Sequence, residues 1–133
     1  MIIDRFNEMS DAQAVTASHA STNVIDLGTA KKIEAKPFFL HIKVPTAVTA
    51  DGAATVTFAF QTDDNASFSS ATTLWTSSAI GKASLTAGTE VVRLALNGLA
   101  LEQYVRVYYT VATGPLTAGA FDAFLSPDAD TNV

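Results

Sequence analysis

Few side chains in this sequence have the chemistry to act on a ligand, and those few are scattered. A metal centre built on the two histidines, His19 and His41, would need them to converge with carboxylates, and they are far apart in the chain. His41 falls at an outward position of its strand and His19 lies between two strand candidates, so both read as ordinary solvated histidines. Asp63-Asp64-Asn65 followed by Ser67 offers oxygen ligands of the kind Ca²⁺ takes. The same short polar side chains bond their own backbone in common turns, which is the simpler reading. Glu90 and Glu102 are candidates for a glycosidase carboxylate pair, but they lie at strand edges, and no neighbouring residue marks either for a raised pKa. No glycine-rich phosphate loop and no G-x-S-x-G nucleophile turn is present. The expectation is therefore a protein that is not an enzyme, with no catalytic residue, no metal site and no cofactor.

Residues suited to contact are easier to find. Trp75 could serve as a stacking platform for a sugar ring, although a Trp at the core or its rim is the plainer account. Tyr104, Arg106 and Tyr108 alternate on one strand and share its outward face. Tyr and Arg concentrate at binding hot spots because they combine large area with a polar tip. Cross-strand pairing on a solvated sheet face would place them there equally well.

The elements that carry these residues read as strands. Tyr104 to Val111 alternates Val105, Val107, Tyr109 and Val111 against Tyr104, Arg106, Tyr108 and Thr110. Successive side chains of a strand point to opposite faces, so this is the pattern of a half-buried strand. Gly114-Pro115 turns the chain into a last strand ending near Leu125. Phe38, Leu40, Ile42 and Val44 alternate with Phe39, His41 and Lys43. Val56, Phe58 and Phe60 are expected inward, with Thr55, Thr57, Ala59 and Gln61 outward. Val92, Leu94 and Leu96 repeat the pattern. Asp51-Gly52 and Asn97-Gly98 are hairpin turn signals, because a type I′ turn needs positive φ at both central residues. About eight short strands so spaced predict an all-β fold: an antiparallel β-sandwich, with jelly-roll topology the leading arrangement. Residues 1–12 are expected to form an N-terminal arm carrying Ile2, Ile3 and Phe6, 13–126 the sandwich, and 127–133 a polar tail.

Composition agrees. The 133 residues are 48% hydrophobic and only 16% charged, a balance that suits strands better than helical surfaces. The net charge of −5 comes without a clustered basic patch, so nucleic acid is not an expected partner. No run reaches transmembrane length and no signal peptide is evident, so a soluble protein is expected. Cysteine is absent, which removes disulfides and thiolate chemistry.

Three segments, taken in order, resemble a known family: Ser21-Thr-Asn-Val-Ile-Asp-Leu-Gly28, the stretch from Asp51 to Phe68, and Tyr104 to Gly119 with its Val-Ala-Thr-Gly-Pro-Leu-Thr-Ala-Gly run. Together they are similar to the small jelly-roll capsid cement, or head decoration, proteins of short-tailed bacteriophages. The resemblance implies a structural virion protein, made in the host cytoplasm and located on the capsid exterior. It would bind the assembled head, bridge subunits of the major capsid protein and self-associate, with a dimer favoured and a trimer the alternative. Ile2, Ile3 and Phe6, with Tyr104, Arg106 and Tyr108, are the residues expected at such contacts. The competing expectation is a carbohydrate-binding β-sandwich module using Trp75 and the Asp63 to Ser67 turn.

Overall fold

The computed structural model describes residues 8–26, 31–32, 39–96 and 100–126. Twelve antiparallel strands lie among them: β1 (Glu8–Ala14), β2 (His19–Ala20), β3 (Ile25–Asp26), β4 (Lys31–Lys32), β5 (Phe39–Thr49), β6 (Thr55–Asp63), β7 (Thr72–Thr76), β8 (Ile80–Gly81), β9 (Thr89–Ala95), β10 (Ala100–Leu101), β11 (Tyr104–Ala112) and β12 (Ala118–Ser126). Five are two-residue pairings, so the expectation of about eight strands meets seven of five residues or more plus short bridges. A four-stranded sheet runs β1-β12-β5-β9 and a six-stranded sheet runs β2-β11-β6-β7, with β3 beside β11 and β8 beside β6. A two-stranded pairing joins β10 to β4. The two large sheets pack as a β-sandwich.

The alternating patterns bury the faces they predict. Val56, Phe58 and Phe60 on β6 and Val105, Val107 and Tyr109 on β11 are fully enclosed. Leu40, Ile42 and Val44 on β5 oppose them from the other sheet. Phe58, Tyr109 and Phe121 meet at the centre: Phe58 is edge-on to both other rings, while Tyr109 and Phe121 stack at 5.1 Å. Burial pushes the Tyr109 phenol well above its ordinary pKa, so it stays neutral and shares a 2.7 Å hydrogen bond with Ser10 Oγ.

Three expectations change. The segment expected as an arm is a strand from Glu8 onward, and Met9 and Ser10 are completely buried. Ile2, Ile3 and Phe6 lie outside the described residues. Asp51-Gly52 does not close a hairpin: β5 and β6 belong to different sheets, and Gly52 is not among the positive-φ glycines. The turn carries the chain across the sandwich instead, beside the β11–β12 crossing, where Thr113 and Gly114 take φ of 62° and 99°. The two crossings are tied together, Thr117 N–H donating to the Thr49 carbonyl at 2.7 Å. A turn signal specifies a reversal, but partner choice belongs to the strands, and β12 and β9 claim both edges of β5. Asn97-Gly98 lies outside the described residues.

The third change concerns His41, expected outward and solvated. It does point away from the sandwich core, yet it is completely buried. Its ring stacks on Phe124 of the neighbouring strand at 5.1 Å and 16°, and Phe124 is itself 1% exposed. Alternation assigns a side chain to a face, but it cannot say whether that face meets water.

Candidate functional site

The outward face of β11 brings Tyr104, Arg106 and Tyr108 into one row, all half-buried. Directly opposite Arg106 on β6 is Gln61, whose Oε1 accepts a 2.8 Å hydrogen bond from Arg106 Nε. The arginine is also enclosed by aromatic rings: its guanidinium carbon lies 4.2 Å from the Phe68 ring centroid and 5.4 Å from that of Tyr108. Both distances are within the range of cation–π attraction. Partial burial lowers the Arg106 pKa from its ordinary value, against which Tyr108 and Asp63 act to raise it. The Tyr104 hydroxyl accepts a bond from Gln103 Nε2 at 3.2 Å.

Phe68 was not expected at this site, because it lies on the β6–β7 loop, outside any periodic pattern. It is 7% exposed and takes φ of +53°, unusual for a bulky residue. The loop that holds it there is organised by Asp63, the last residue of β6. The Asp63 carboxylate accepts bonds from the backbone N–H of Asp64, Asn65 and Ser70 and from the Ser70 hydroxyl. Asn65 repeats the device by accepting from Ser67 N–H and Oγ, and Phe68 N–H donates to the Asn65 carbonyl at 2.9 Å. The turn chemistry read from the sequence is thus present, with a buried aspartate as its hub.

Burial works against the Asp63 charge, but the bonds from Ser70 and Asp64 outweigh it and hold the carboxyl below its ordinary 3.8. A depressed folded-state pKa means the stabilisation is complete above the ordinary carboxylate value and is lost as pH falls through the folded value. Asp63→Asn is therefore expected to be less stable than the wild type at neutral pH, with the gap closing in acid. Denaturant midpoints measured from about pH 7 down to about pH 2 test this. A gap that does not depend on pH would show that the charge is not what organises the loop.

Asp63 also lies with Asp64 and Glu102 in a carboxylate cluster whose oxygens are within 4.8 Å of one another. Four donors already engage the Asp63 oxygens, three of them on Oδ1. Trp75 is half-buried and packs against the core on β7, opposite Phe60, which fits the rim reading better than a free sugar platform.

The histidines separate. His19 is exposed on β2, with Nδ1 2.6 Å from the Ala20 carbonyl. His41 donates from Nδ1 to Glu90 Oε1 at 2.7 Å, and Arg93 Nε stands 3.9 Å from the same oxygen. This is the one histidine–carboxylate contact among the described residues. The bulge in β9 that offsets Glu90 from Val92 makes the contact, and alternation alone does not reveal it. The other ring nitrogen, Nε2, is buried with no hydrogen-bond partner.

A search of curated proteins returns no match. The Bbp16 family profile matches residues 9–125, which takes in every described strand except the ends of β1 and β12 and includes the whole Tyr104–Arg106–Tyr108 row. The chain belongs to the Bbp16 family, a phage-related family.

Proposed function

We propose that this protein is a capsid cement protein, binding the outer surface of the assembled phage head and bridging neighbouring major capsid protein subunits. The observation that carries the reading is the family membership over residues 9–125. The resemblance of the Ser21–Gly28, Asp51–Phe68 and Tyr104–Gly119 segments to jelly-roll decoration proteins points the same way. The sandwich supplies a rigid platform, and the outward β11 row supplies the Tyr and Arg side chains such contacts use.

The mechanism is mass action. A protein that binds only the assembled lattice stabilises that lattice, and bridging two subunits makes the second contact effectively intramolecular. Self-association, with the dimer favoured, would add a further link between sites. The net charge of −5 suits an exterior position better than one facing packaged DNA.

Co-sedimentation with mature heads, with unexpanded proheads as control, tests the proposal. The expected result is saturable binding to mature heads and none to proheads. Absence of binding to either would overturn it.

A further inference from the structure

The turn between β5 and β6 places an aspartate directly before a glycine, and both are exposed. Neither the Asp51 carboxylate nor the Gly52 N–H makes a hydrogen bond to any described residue. Every other described aspartate is engaged at its carboxylate or at the amide that follows it. Ala12 N–H, which follows Asp11, donates to Asp122 Oδ1 at 2.6 Å and so occupies both of those sites. Gln103 Nε2 donates to Asp26 Oδ1 at 3.2 Å. Asp63 accepts bonds from four donors, one of them the Asn65 N–H that follows Asp64. The backbone does not require glycine at position 52. Gly52 is not among the positive-φ glycines, and a Cβ there would meet the Thr113 carbonyl oxygen at 3.9 Å, an ordinary contact. What glycine does provide is an unhindered amide beside a free carboxylate.

We propose that Asp51-Gly52 is a self-modification site, where Asp51 converts to isoaspartate through a cyclic imide. The Gly52 nitrogen attacks Asp51 Cγ and a C–N bond forms. One carboxylate oxygen leaves as water, taking the amide proton and a second proton from solvent. Water then adds to either carbonyl of the five-membered ring and breaks the C–N bond there, restoring aspartate or giving isoaspartate. Nothing is oxidised or reduced, and water is the co-reactant of the second step. In the product the main chain runs through the former side chain, so the crossing is one methylene longer. That methylene enters a short span held at both ends. Before it, Thr117 N–H donates to the Thr49 carbonyl at 2.7 Å, and Lys82 Nζ donates to the Ala50 carbonyl at 2.6 Å. After it, Ala54 is buried. The change needs no enzyme and no partner, so it does not depend on the cement reading.

Incubation of the full chain at neutral pH, followed over weeks by peptide mapping, tests the proposal. Electron-transfer fragmentation identifies isoaspartate, and the imide appears as the loss of one water. The expected result is isoaspartate at position 51 ahead of Asp11, Asp26, Asp63, Asp64 and Asp122, at a rate close to that of a free peptide spanning residues 49–55. Gly52→Ala, which the geometry accommodates, is expected to slow the conversion about tenfold, equivalent to a barrier about 1.4 kcal/mol higher. Asp51→Glu should abolish it, because the ring would need six members. Deamidation at Asn97-Gly98 changes the mass, so it is not confused with isomerisation at Asp51. Conversion no faster than at the other aspartates, or far slower than in the peptide, would overturn the proposal. An unchanged rate in Gly52→Ala would overturn it as well.

Discussion

Phe58→Ala is expected to destabilise the fold by about 3–5 kcal/mol, the usual range for emptying a buried aromatic site. Phe58 is completely buried on β6, with its ring 5.8 Å from Tyr109 and 5.2 Å from Phe121, edge-on to both. Tyr109 belongs to the same sheet, while Phe121 belongs to β12 of the other, so the three rings bolt the layers together. Truncation removes two edge-to-face contacts and leaves a void between rings that stack on each other and have little room to collapse. Equilibrium urea unfolding should show the loss as a lower midpoint at unchanged slope, with Tm reduced by about 10–20 °C. A loss below about 1 kcal/mol would show that the rings are not packed as described.

Gly119→Ala is expected to cost about 2–4 kcal/mol, from two independent sources. Gly119 takes φ of +145°, a backbone conformation that L side chains rarely adopt. A Cβ there would also stand 2.9 Å from Val48 Cγ2 and 3.2 Å from the Val48 backbone Cα. The site lies where the β12–β5 register shifts between Ala118 and Ala120, so the two strands approach with no space for a side chain. Combining Gly119→Ala with Val48→Ala separates the sources. The double mutant should recover part of the crowding cost but none of the backbone strain, which appears as a coupling energy in the double-mutant cycle. Full additivity of the two changes would show that the contact with Val48 Cγ2 plays no part.

Both predictions depend on residues whose importance the sequence conveys unequally. Phe58 was legible because Val56, Phe58 and Phe60 alternate with polar residues, and that period is set by strand geometry alone. Gly119 was not legible, because nothing local distinguishes a glycine under a neighbouring strand from one in a turn. Asp51-Gly52 misled for a related reason: a reversal signal says where the chain bends, not which sheet it enters. The outward row Tyr104–Arg106–Tyr108 followed from periodicity, whereas its cover, Phe68, comes from a loop with no period to read. His41 was placed on the correct strand and away from the core, but its burial and its bond to Glu90 arise from pairing with β12 and from a bulge in β9.

The all-β class, the inward faces of the principal strands and the shared face of the contact row were legible from residue order alone. Each of these is a property of a few consecutive residues, since alternation fixes side-chain direction wherever a strand forms. Which strands share a sheet, that Met9 and Ser10 complete the core, that Phe68 covers Arg106, and that His41 meets Glu90 emerge only in the folded chain. These depend on contacts between residues far apart in the chain, such as the 99-residue separation between Ser10 and Tyr109. Local propensity carries no record of such partners; they are selected by how the two layers close on each other.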